Sequence, residues 1–111
     1  MSELLKVVHI PRQRHTEHQG ELDPVTAFLE DFAPGQGQLT LVCWGRAWSH
    51  YWGAMGNDYS LDRFIRTAST DYLVGKLMLP YDVMLKRSER REEKWLYQIV
   101  EALKVQLKVS T

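Results

Sequence analysis

The sequence predicts an α+β fold: an antiparallel β-meander of three to four strands, then two short helices and one long C-terminal helix. Three observations predict it. Residues 4–52 hold runs of β-branched and aromatic side chains punctuated by Gly and Pro. Trp44, Trp48 and Trp52, three of the four tryptophans, fall within nine residues around Gly45. Beyond residue 88, Trp95, Leu96, Ile99, Val100, Leu103 and Leu107 recur three and four apart, as one face of a helix requires.

The elements follow in order. Leu4–Ile10 is β-rich and stops at Pro11, so it is expected as a first strand. Residues 11–23 are polar around Gly20 and are expected as a mobile loop. Val25–Phe32 runs from Pro24 to Pro34-Gly35, and its β-branched and aromatic content favours a strand over a short helix. Gly35-Gln36-Gly37 supplies the backbone freedom for a hairpin connection.

Leu39–Trp44 is the clearest strand, and Ala47–Trp52 follows after Gly45-Arg46. A type II′ turn at Gly45-Arg46 would pair residue i with 91 − i, setting Trp44 opposite Ala47 and Leu41 opposite His50. Leu39, Leu41, Cys43, Trp48, His50 and Trp52 then share the core face, and Thr40, Val42, Trp44, Ala47, Ser49 and Tyr51 share the other. The rival arrangement is one long strand, bulged at Gly45.

After the turn at 53–58, Ser60 is suited to cap a helix over Leu61–Ala68 that buries Leu61, Phe64, Ile65 and Ala68. Ser69 or Thr70 can cap a second over Asp71–Leu79, burying Tyr72, Leu73, Leu77 and Met78, with Pro80 as its stop. Ser88 is expected to cap the long helix to about Lys108. Glu92 and Glu93 lie early in that helix and Lys104 and Lys108 late, as the helix dipole prefers.

The 111 residues suit a single domain spanning 1–111. Fourteen Lys+Arg balance fourteen Asp+Glu, which argues against a generic nucleic-acid binder. The charges are uneven: residues 1–60 hold four basic and seven acidic side chains, residues 61–111 ten and seven. No apolar run approaches the roughly 18 residues of a membrane span, so no membrane partner is expected. Cys43 stands alone, which excludes an internal disulfide and fits a reducing compartment.

Few constellations suggest chemistry. His15 and His18, near Glu17, Glu21 and Asp23, match no defined metal motif, and no metal or cofactor is expected. The predicted register makes Cys43 and His50 diagonal neighbours, but on an apolar face with no third orienting group, so no catalytic residue is assigned. Gly35-Gln36-Gly37 and Gly53-x-x-Gly56 lack the context of phosphate loops. What remains is aromatic and basic. Trp48 and Trp52 are expected in the core, Trp44 and Arg46 at an exposed hairpin tip. The candidate partner-binding residues are Trp44, Arg46, Tyr51, Arg87, Arg90 and Arg91.

The stretch Trp44, Gly45, Trp48, Ser49, Tyr51, Trp52, Met55 and Gly56, followed by Phe64 and then Asp71, Tyr72, Leu73, Lys76 and Leu77, resembles a known pattern. It is similar to small accessory or early-region proteins of lambda-like phages and enterobacterial prophages. The resemblance covers roughly residues 22–78. It implies a phage or prophage gene expressed in the bacterial host cytoplasm, and it brings no established activity. The expectation is therefore a non-enzymatic accessory protein that binds a host or phage protein, with modulation of a host factor or defence system as its role. The alternative is a nucleic-acid-binding accessory protein using the Trp/Arg tip and the basic helix start. The apolar stripe of the long helix permits either core closure or a homodimer through that helix.

Overall fold

The computed structural model describes residues 4–12, 22–56, 60–79 and 87–109, excluding the side chains of residues 87–90. Strands β1 (Leu4–Ile10), β2 (Val25–Ala33), β3 (Gln36–Cys43) and β4 (Arg46–Trp52) form one antiparallel sheet in the order β1-β2-β3-β4. Helices α1 (Leu61–Thr67), α2 (Thr70–Leu77) and α3 (Arg87–Val109) follow. The fold is the predicted α+β meander with helices after the sheet.

Period-two alternation sets which face of the sheet is buried. Val8 and Ile10 of β1, Val25, Ala27 and Leu29 of β2, Leu39, Leu41 and Cys43 of β3, and Trp48 and Trp52 of β4 are all buried. Against them pack Leu61 and Ile65 of α1, Leu73, Val74 and Leu77 of α2, and Leu96, Ile99, Val100, Leu103 and Leu107 of α3. All five α3 side chains are fully buried within the one chain. Each contributes roughly 1.5–3 kcal/mol, so this stripe of α3 closes the core of the chain.

Local signals place the helices. Ser60 Oγ accepts a hydrogen bond from the Arg63 amide and Ser69 Oγ from that of Tyr72, so both serines cap as expected. The Asp31 carboxylate of β2 accepts from the Leu61 amide at 2.8 Å, tying the start of α1 to the sheet. Asp62 bridges Lys6 of β1 at 2.8 Å and Arg66 at 2.7 Å. Burial pushes this carboxyl up, but hydrogen bonds and charge from Lys6 and Arg66 outweigh it and hold the pKa below the usual value. The α2 start is joined to α3 by Thr70 donating to Glu101, and Lys104 donates to the Ala68 carbonyl.

Four local expectations are corrected. The β2–β3 connection is Pro34-Gly35, with Ala33 paired to Gln36, and Gly37 lies inside β3. A Cβ on Gly37 would sit 3.0 Å from the Glu30 carbonyl oxygen and 3.3 Å from Leu61 Cβ, so close packing selects this glycine rather than turn formation. Tyr72 is exposed rather than buried, because its hydroxyl receives the Trp52 indole N–H at 3.1 Å at the rim of the core. Helix α3 already includes Ser88, since it begins at Arg87; the capping expected of the Ser88 side chain lies outside the described residues. Finally, Leu22, at the end of the expected loop, is buried in the core, while residues 13–21, with His15 and His18, lie outside the described residues.

Candidate interaction site

The β3–β4 hairpin places the candidate residues. Its observed register pairs i with 89 − i: Leu39 with His50, Leu41 with Trp48, and Cys43 with Arg46. The turn is therefore Trp44-Gly45, one residue earlier than expected. Both residues have positive φ, 56° at Trp44 and 71° at Gly45, as a type I′ turn requires. The shift from 91 − i to 89 − i is even, so each side chain keeps its expected face. Trp48 and Trp52 point into the core and Trp44 points out.

Three consequences follow from this turn. First, Trp44 is 77% exposed, and it is the one non-glycine residue with positive φ among those described. A left-handed backbone costs an L-residue about 1–2 kcal/mol. Second, Arg46 leaves the turn and opens β4 on the helix side, opposite Cys43. Its Nη2 meets both carboxylate oxygens of Glu92 on α3, at 2.7 and 2.8 Å. Third, Cys43 and His50 sit four residue pairs apart along the ladder rather than two, so they are not the expected diagonal neighbours.

The Arg46–Glu92 bond sets the hairpin tip against the first turns of α3. Arg91, one residue from Glu92 in the chain, is exposed. Tyr51 does not join the tip. It is half exposed, against Phe32 at 6.0 Å between ring centroids, near the opposite end of β4. The side chains of Arg87 and Arg90 lie outside the described residues, while their backbone begins α3.

Beneath the tip, Trp48 packs edge-on against Trp95, ring centroids 5.0 Å apart. The Cys43 thiol donates to the Asp23 carbonyl at 3.8 Å. Burial and then the charge of Asp23 push that thiol up, against a smaller opposing pull from Trp95, so it is held as the unreactive thiol. His50 lies against Trp52, and burial and then Lys76 lower its pKa. No group of three metal-ligating side chains occurs among the described residues. A shallow cleft of about 300 Å³ between α2 and α3 is lined by Asp71, Val74, Gly75, Glu93, Lys94 and Tyr97. No helix among the described residues is long and apolar enough to cross a membrane.

Sequence reasoning missed two features of the surface. One is Glu92 as the partner of Arg46, since nothing in the sequence relates residues 46 apart. The other is the face of the sheet on which no helix packs among the described residues, where Leu5, Val7 and Phe28 lie beside one another and Glu30 is the one acidic or basic side chain of its paired strand positions apart from His9. A signal for it was present: Leu4-Leu5 and Val7-Val8 break the alternation expected of a strand with one wet face.

The fold and its tip thus define a small α+β chain with a four-stranded meander, the described helices packed on one face and an exposed tryptophan at a strained turn. The chain belongs to a phage protein family, Phage_phiTE_072, which it matches over residues 5–83. The match runs from β1 through α2 and stops before α3. It establishes a phage family; the lambda-like and enterobacterial attribution remains an expectation from the motif. No curated protein and no solved structure matches the chain.

Proposed function

We propose that this phage accessory protein acts by binding another protein, of the host or the phage, through the β3–β4 tip, and that it acts without catalysis. The observation that carries the proposal is Trp44: a large aromatic, 77% exposed, held at φ 56° in a turn where asparagine would be less strained. Strain at an exposed aromatic is a feature that a binding role accounts for and folding does not. Exposed Trp and Arg are also the side chains that most often dominate binding energy. Arg46 serves as the brace of this surface through Glu92, and Arg91, next to Glu92 in the chain, supplies exposed charge. Modulation of a host factor or defence system, in the host cytoplasm, is the role that fits such a binder.

A nucleic-acid role has less support. The alternative uses the Trp44/Arg46 tip and the basic start of α3, and there the Arg46 guanidinium is already paired with Glu92. The test is affinity capture from phage-infected host cells with the native chain and with Trp44→Asn, a substitution the left-handed turn favours. A specific protein held by the native chain and lost by the folded variant supports the proposal. Equal retention by both removes Trp44 from the site. Binding to DNA or RNA that weakens steeply with salt would replace the proposal by the nucleic-acid alternative.

A further inference from the structure

We propose that the cleft between α2 and α3 binds a free basic amino acid, arginine or lysine. The cleft holds about 300 Å³ and is lined by Asp71, Val74 and Gly75 of α2 and by Glu93, Lys94 and Tyr97 of α3. That volume lies at the small end of ligand sites and suits a molecule of one residue. The two helices run antiparallel, because Thr70 at the start of α2 donates to Glu101 and Lys104 reaches back to the Ala68 carbonyl. Asp71 therefore stands at one end of the cleft. Glu93 and Lys94, neighbours in the chain, stand at the other, level with the last turn of α2. At the helical rise per residue the two ends are about 10 Å apart. Val74, Gly75 and Tyr97 lie between them.

The charges of the lining have no protein partners. Among the described residues, none of Asp71, Glu93 and Lys94 takes part in an ion pair. A basic amino acid carries their complement: a cation at each end and one carboxylate beside one of them. In the cleft its α-ammonium meets Glu93, its α-carboxylate meets Lys94, and its side-chain cation meets Asp71. The alkyl stem crosses Val74 and Gly75 against the Tyr97 ring. A diamine would leave Lys94 facing a like charge, and a neutral amino acid would leave Asp71 unmatched. Gly75 is an independent observation. It lies inside an eight-residue helix, where glycine is less stable than alanine. Neither packing nor backbone requires it, since a Cβ there would meet nothing within 4 Å and its φ is not positive. Its missing side chain keeps the floor of the cleft open and lets a ligand approach the helix backbone. The cleft shares no residue with the Trp44 tip, so it stands or falls apart from the proposed function.

The test is titration of the full chain with L-arginine and L-lysine, followed by calorimetry and by the amide resonances of Gly75 and Tyr97. At least one is expected to bind saturably, with one site per chain and shifts at both amides. For the one that binds, the decarboxylated amine and the isosteric neutral amino acid (agmatine and citrulline for arginine) should each bind about tenfold more weakly, one charged contact being lost in each. Lys94→Ala should weaken the amino acid but not the amine. Asp71→Asn should bring the amino acid down to its neutral isostere. Gly75→Leu, with unchanged far-UV circular dichroism, should abolish binding; if it does not fold, the two exposed charge variants carry the test. Saturable binding of neither amino acid at millimolar concentration overturns the proposal. So does an amine that binds as tightly as its amino acid. Equal binding of the N-acetylated, C-amidated form would also overturn it, and would assign the cleft to a basic side chain of a protein.

Discussion

Arg46 and Glu92 stand 46 positions apart in the chain and meet with one guanidinium nitrogen within 2.8 Å of both carboxylate oxygens. The bond joins the first residue of β4 to the early turns of α3, so the hairpin tip and the last helix are held as one surface. Glu92 lies beyond residues 5–83, which carry the family match, so this brace links the matched part of the chain to α3.

The brace is expected to show in a double-mutant cycle. Arg46→Ala, Glu92→Ala and the double variant, compared by urea unfolding, should give a coupling of about 1 kcal/mol at low salt, since the Arg46 side chain is partly open to water. The coupling should shrink as salt is raised. Zero coupling would mean that apolar packing alone, chiefly Trp48 on Trp95, positions the tip.

The turn itself gives a contrast between residues. Trp44→Asn is expected to raise the urea midpoint, by up to about 1 kcal/mol of stability, with an unchanged denaturant slope. Gly45→Ala should cost about 1–2 kcal/mol from its backbone alone, since a Cβ there meets nothing within 4 Å. Gly35→Ala should cost more, because its φ is 78° and a Cβ would lie 2.6 Å from the Gly56 carbonyl oxygen. Equal losses for the two glycine variants would show that the loop at Gly56 yields freely.

Much of this architecture was legible because its causes are local. Alternation gave the two faces of β3 and β4, serine caps gave the helix starts, and the three-and-four spacing gave the buried stripe of α3. The turn was misplaced by one residue because turn preferences favour glycine, not tryptophan, at positive φ. Sequence pattern had no means of weighing the Arg46–Glu92 bond, which forms only when Arg46 enters the strand. The site was legible to the same degree: exposure of Trp44 followed from parity, whereas the separation of Tyr51 from the tip and the bond of Arg46 to Glu92 required the third dimension.

Acid should weaken the fold in two separate windows. His50 has a pKa below its ordinary 6.5, because burial and then Lys76 disfavour its charged form. The unfolded chain therefore binds a proton first, and stability is present above pH 6.5 and declines as pH falls from there through the lower folded value. Asp62 is depressed below its ordinary 3.8, so its contribution is lost only as pH falls below that value. Thermal unfolding between pH 7 and 5 should decline in the native chain and flatten in His50→Gln. An unchanged slope in His50→Gln would assign the upper window to another group.

The core tryptophan beneath the tip offers a last discrimination. Trp48 is 2% exposed, and its indole Nε1 is buried with no hydrogen-bond partner among the described residues. A buried donor without a partner carries a desolvation cost and no compensating bond. Replacing the indole by a phenyl ring removes that donor while keeping much of the contact with Trp95. Trp48→Phe should therefore cost well under the roughly 3–5 kcal/mol expected of Trp48→Ala, whose cavity the sheet and α3 cannot both close. Urea midpoints of the two variants measure the difference. A Phe variant as damaged as the Ala variant would show that the indole's full shape, rather than its apolar bulk, holds α3 against the hairpin.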